Sequence, residues 1–281
     1  MKRDRRWALL ALLVALPGCA LPHPKNATGT VRARIVALMP FVADDLYAIG
    51  AGSQLVAVSS FTDDPRARAL PRVADFTSVD AERIVALHPD VAIGIQAQAR
   101  FAEPLRRAGV DVVLLSDDAF TDIFRNLQTI GALSGHAKPA AATVARLQRE
   151  TMRLHARTRA FTRRPSVFVV LGSAPIWTAG SGSYIATLIA LAGGANAAAG
   201  LHAAYGQYSA EALLRRQPDV LIVDPIIRLG ALTDREPWRS LRAVHLKRVY
   251  DVVPPDIIER PGPYYNEGIR WLVERLTPIA S

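Results

Sequence analysis

The chain has 281 residues, half of them hydrophobic and 7% aromatic, and a formal net charge of +9. That length suits about two domains of ~150 residues each, with ample apolar material for their interiors. One cysteine excludes an intramolecular disulfide, and arginines scattered without interleaved aromatics argue against a nucleic-acid surface.

The first thirty residues read as targeting and tether. Lys2, Arg3, Arg5 and Arg6 form a basic n-region, and Trp7 to Leu16 an apolar run too short to span a bilayer. Leu16-Pro17-Gly18-Cys19 resembles a bacterial lipobox, with Pro17 where small or hydroxyl residues are usual. Residues 1–18 are expected to be a signal peptide, Cys19 the lipidated start of the mature chain, and residues 19–30 a polar tether. The alternative is an ordinary signal peptide with an incidental cysteine. Cleavage removes Lys2, Arg3, Arg5, Arg6 and Asp4, which lowers the charge from +9 to +6.

Residues 31–135 read as an α/β lobe. Arg34 to Leu38 is a buried-strand run, followed by a helical pattern to Ile49 closed by Gly50 and Gly52. Strands over Leu55–Ser59, Val91–Gly94 and Val112–Leu115 alternate with helices over Ala99–Ala108 and Ala119–Leu133. Ala137 to Phe161 lacks glycine and carries Val144, Leu147, Thr151, Leu154 and Phe161 on one stripe. This predicts one helix of about 23 residues, roughly 35 Å long, joining the lobes over residues 136–162. Residues 163–281 form the second lobe, with strands over Ser166–Leu171 and Arg248–Val253 and helices over Ile185–Ala192 and Tyr265–Leu276.

A repeat supports the two-lobe reading. Asp80-Ala81-Glu82 through Pro89-Asp90-Val91 and Ser209-Ala210-Glu211 through Pro218-Asp219-Val220 share one pattern: N-cap, Ala, Glu, an apolar helix, Pro-Asp, then a strand. The predicted fold is α/β: two lobes, each a mainly parallel sheet flanked by helices, joined by one long interdomain helix.

Signals for catalysis are weak. No G-x-S-x-G or P-loop occurs, and the six histidines show no H-x-x-x-H spacing. Asp63/Asp64 and Asp117/Asp118 read as turn residues rather than acid/base partners. No catalytic residue, metal ligand or cofactor is predicted.

Arg34–Leu38, Leu46-Tyr47-Ala48-Ile49-Gly50-Ala51-Gly52, Leu70-Pro71-Arg72-Val73, the Pro-Asp-Val units and Arg260-Pro261-Gly262-Pro263 together resemble the periplasmic binding proteins that serve ABC importers of cobalamin, siderophores and haem. The resemblance spans about residues 31 to 279. It implies a monomeric carrier in the periplasm or at the cell surface, membrane-anchored, with a cleft between lobes and little hinge motion. A small-molecule ligand and an ABC permease dimer are the implied partners.

Phe61, Phe76, Trp177 and Tyr205 match loop positions where cobalamin binders carry rings against the corrin, which makes a corrinoid the implied ligand. Phe76 and Trp177 are expected to face one another from opposite lobes. Haem is the alternative, although its binders tend to place a tyrosine where Phe76 stands, which leaves Tyr205 or Tyr208 as candidate ligands to iron. Ferric siderophores are another, with Arg260 against anionic oxygens; Arg260 equally suits carbonyls of its own loop. Glu82 and Glu211 match the paired acids that meet permease arginines. An extracytoplasmic enzyme or metal chaperone on a similar scaffold is the competing class.

Overall fold

The computed structural model describes residues 31–251 and 256–280; the signal peptide, Cys19 and the tether lie outside them. The N-terminal lobe contains, in order, β1 (Ile35–Ala37), α1 (Pro40–Ala48), β2 (Leu55–Ser59), β3 (Arg72–Ala74), α2 (Ala81–Ala86), β4 (Val91–Ile95), α3 (Ala102–Arg107), β5 (Asp111–Leu115) and α4 (Asp122–Leu133). Its five strands are all parallel, in the order β3-β2-β1-β4-β5. β1 and β4 are buried along their whole length, as expected of central strands covered on both faces.

The connector α5 (Ala137–Arg157) has 21 residues, about 32 Å at 1.5 Å per residue. It buries Val144, Leu147, Thr151 and Leu154 of the stripe read from the sequence, and also Ala140 and Thr143. The helix ends before Phe161, because Thr158–Ala160 tightens into a 3-10 turn and Phe161 itself is extended. A methyl group on Gly193 would collide with the Phe161 ring, at 2.6 Å from Cδ2. The ring therefore lies against a position that only glycine leaves open.

The C-terminal lobe runs β6 (Ser166–Val170), β7 (Gly172–Ser173), β8 (Ile176–Ala179), α6 (Tyr184–Leu191), β9 (Ala195–Asn196), β10 (Tyr205–Gln207), α7 (Ala210–Arg216), β11 (Val220–Val223), α8 (Leu229–Thr233), α9 (Arg242–His245), β12 (Val249–Asp251), α10 (Asp256–Glu259) and α11 (Tyr265–Ala280). Four strands form a parallel sheet, β12-β11-β6-β9. The small antiparallel sheet β10-β8-β7 is an addition that the sequence pattern did not reveal.

The repeat has a physical explanation. Asp80 and Ser209 cap α2 and α7, accepting from the backbone N–H groups of Arg83 and Ala212. Each Pro-Asp carboxylate then holds the strand beside its own. Asp90 Oδ2 accepts from Ala33 N and Arg34 N at 2.8 and 2.9 Å, just before β1. Asp219 Oδ2 accepts from Ser166 N at 2.8 Å, at the start of β6.

The described residues form one compact unit. Its largest hydrophobic cluster runs from Ile35 and Ile93 through Leu147 and Leu154 to Val169, Ile222 and Leu276. The lobes therefore share a continuous core, and each adds a smaller cluster of its own, around Phe168 and Leu221 in one and Val36 and Ile84 in the other. α11 returns to α5, where buried Asn266 donates to Leu147 O at 2.9 Å, and Thr151 Oγ1 lies 2.7 Å from the Tyr265 hydroxyl. The Tyr265 ring also meets Phe120 and Phe124 edge-on, beside and within α4. No helix among the described residues is long and apolar enough to cross a membrane.

Candidate functional site

A cavity of about 470 Å³ opens between the lobes, where the parallel strands end. Phe61, Phe76 and Asp117 each follow the last residue of β2, β3 and β5 by two positions, and Asp224 directly follows β11. This is the usual ligand position in open α/β sheets.

Two loops place the aromatic wall. Arg72 Nη1 donates to the carbonyls of Ser59 and Thr62, at 3.2 and 2.8 Å, and so brackets Phe61. Asp75 Oδ1 accepts from Thr77 N and Ser78 N, both at 2.6 Å, a turn in which aspartate substitutes for a backbone acceptor. Buried Gln98 donates to the carbonyls of Leu38 and Asp75 and ties that turn to β1. Held this way, the rings of Phe61 and Phe76 stack at 4.7 Å with 25° between planes, both half-exposed. From the C-terminal lobe, Pro225 and Ile226 line the same cavity, and Ile226 is 85% exposed.

The polar lining is mostly carboxyl: Asp63, Asp117, Asp224 and Glu259, with Arg260 as its cation. Burial, then Asp118 and Asp122, push the Asp117 carboxyl up to about 6. Burial and its contact with Asp224 push Glu259 up to about 8. Glu259 Oε1 is buried and finds no hydrogen-bond partner among the described residues.

Arg260 lines the cavity, and its guanidinium is engaged by the N-terminal lobe. Nη1 donates to Asp44 Oδ2 at 3.0 Å and Asp63 Oδ1 at 3.1 Å, and Nη2 reaches the Phe61 carbonyl at 3.4 Å. The guanidinium thus fastens the C-terminal segment to the other lobe, across more than 190 positions of sequence. Nothing local announced this, because Asp44 lies within α1 and Asp63 resembles a turn residue. Next to Asp44, Asp45 is buried with no hydrogen-bond partner among the described residues. Burial and then Asp44 hold its carboxyl well above the usual range.

Trp177 and Tyr205 lie on strands rather than in loops. In the antiparallel register Trp177 opposes Gln207 and Tyr205 opposes Ala179, so the two rings share one face, a two-residue step apart. Both are only about two-fifths exposed, and neither lines the cavity. Burial and the carboxylates Asp117, Asp118 and Glu259 push the Tyr205 phenol above its ordinary range, so its hydroxyl lies within their field. Phe76 and Trp177 come from opposite lobes, but the ring Phe76 meets is that of Phe61, from its own lobe. Tyr208 sits edge-on to Phe168 at 5.3 Å, beside the core of its lobe. Glu82 and Glu211 are exposed in the first turns of α2 and α7, and Glu211 lies 3.5 Å from Arg215.

The profile of one family, described as periplasmic binding protein, matches residues 35–255. The chain belongs to that family. It is a substrate-binding protein of ABC import. This binding protein is 27% identical over 310 aligned positions to the uncharacterized ABC transporter substrate-binding lipoprotein YvrC of Bacillus subtilis, covering 99% of this chain and 98% of that one. It is 29% identical over 280 positions to the vitamin B12-binding protein of Pectobacterium carotovorum, covering 97% and 95%. Its fold matches the crystal structure of a periplasmic haem-binding protein from Pseudomonas aeruginosa with a TM-score of 0.77 and 26% identity, covering 89% and 95%.

Proposed function

We propose that this binding protein, anchored through Cys19, captures a corrinoid between its lobes and hands it to an ABC permease. The observation that carries the ligand class is the stacked, half-exposed pair Phe61/Phe76 in a cavity whose polar groups are mostly carboxyl. A flat apolar macrocycle satisfies the rings, and the carboxamides on a corrin rim can donate to carboxylates. Ligands with anionic rims, such as ferric siderophores and haem propionates, would meet like charge at Asp117 and Asp224, the lining acids neither protonated nor paired with Arg260. Arg260 does not offset this, being engaged by Asp44 and Asp63; its proposed role is to hold the Phe61 loop against the ligand. Tyr205 and Trp177 are proposed to border the bound macrocycle. Coordination of haem iron by Tyr205 needs a phenolate, which burial and then the nearby carboxylates oppose. Glu82 and Glu211 are proposed to meet the two permease subunits, one acid per lobe.

The test is absorption titration with cobalamin, hemin and a ferric hydroxamate. Cobalamin is expected to bind most tightly. Phe61→Ala and Phe76→Ala should each weaken it by about 1–3 kcal/mol, the value of a buried aromatic contact. Tighter binding of hemin, or cobalamin affinity unchanged in both variants, would overturn the corrinoid reading.

A further inference from the structure

We infer that the outer face of α5 is a contact surface for an anionic phospholipid bilayer. The helix carries Lys138, Arg146, Arg149, Arg153 and Arg157 against a single acid, Glu150. Glu150 is already shared by Arg146 and Arg270. Arg149, Arg153 and Arg157 are exposed and have no ion-pair or hydrogen-bond partner among the described residues. Spaced four residues apart, they stack along one edge of the helix and repel one another. A groove of about 480 Å³ runs beside them.

Next to that edge, beside exposed Gln148, lie the small or apolar exposed residues Ala141, Ala142, Ala156 and Met152, the last 64% exposed. Cations flanking an apolar strip are what an interfacial helix presents to lipid headgroups and the acyl boundary. The entry of the chain suits this placement. Val31 packs on Gly135 and Arg32 N donates to Leu133 O at 2.8 Å, so the tether joins the described unit beside the start of α5. The twelve residues from Cys19 to Thr30 can extend roughly 40 Å, longer than the helix itself. An anchored chain can therefore lay α5 on the bilayer that holds it.

Acylation of Cys19 enters this argument for proximity alone, so the test uses an unacylated chain beginning at residue 20, which retains the whole compact unit. Met152→Cys labelled with an environment-sensitive dye is mixed with vesicles of phosphatidylcholine, with and without phosphatidylglycerol. The expected result is co-sedimentation and a blue-shifted dye with the anionic vesicles only, both lost at high salt. Replacing Arg149, Arg153 and Arg157 together by Gln should weaken partition at least tenfold, whereas the triple Lys variant should bind as wild type does. Circular dichroism reports that both stay folded. Equal partition to both vesicles, binding unaffected by the Gln variant, a silent dye on bound protein, or binding to soluble heparin but to neither vesicle would each overturn the inference. Failure of Cys19 acylation would leave these outcomes unchanged.

Discussion

Replacing Arg260 with methionine tests whether one guanidinium fastens the two lobes. Its side chain is 14% exposed, and its partner Asp44 is 2% exposed beside the buried Asp45. Deleting the cation leaves a buried carboxylate without its counter-charge, a change that typically costs about 3–5 kcal/mol. Two features lower that figure. The second partner, Asp63, is more than half exposed and contributes below about 1 kcal/mol. Asp44 also takes part in a further interaction. The expected loss is therefore about 2–4 kcal/mol, or roughly 5–12 °C in Tm for a domain of this size. Urea unfolding at pH 7 measures it, with Asp44→Asn and the double variant completing a cycle. Because the double variant removes both charges, it should recover much of the loss, with a coupling of about 1–3 kcal/mol. A cost below about 1 kcal/mol, or strict additivity in the cycle, would show that the pair is incidental.

The remaining predictions concern charge, docking and anchoring. Glu259 has a folded-state pKa raised to about 8, so the folded chain holds a proton that the unfolded chain releases above the ordinary carboxyl range. Stability should fall as pH rises through that window up to about 8; Glu259→Gln should flatten the fall, and an unchanged pH profile would contradict this. Glu82→Ala and Glu211→Ala should leave ligand affinity intact but slow uptake into permease liposomes, the double variant most and with strong salt dependence. Normal uptake by the double variant would leave both as helix-end acids. Cys19→Ala should release the protein from membranes on fractionation, and firm retention with unchanged processing would refute acylation.

Much of the architecture could be read from local pattern. The α5 stripe, the capped α2 and α7 and the strand runs after each Pro-Asp follow from periodicity and capping, which act within a few residues. Phe61 and Phe76 were also legible, as rings in loops at strand ends. Tertiary structure decided what depends on contacts between distant segments. Arg260 meets Asp44 only because α1 and the segment before α11 converge. Asp117 and Glu259 become perturbed acids only when both lobes withdraw water from them, so Asp117 looked like half of an ordinary turn pair. Trp177 and Tyr205 occupy one face because β8 and β10 pair in a register set by the intervening chain. Periodicity records which face of an element is buried; the identity of what buries it is settled only when the elements meet.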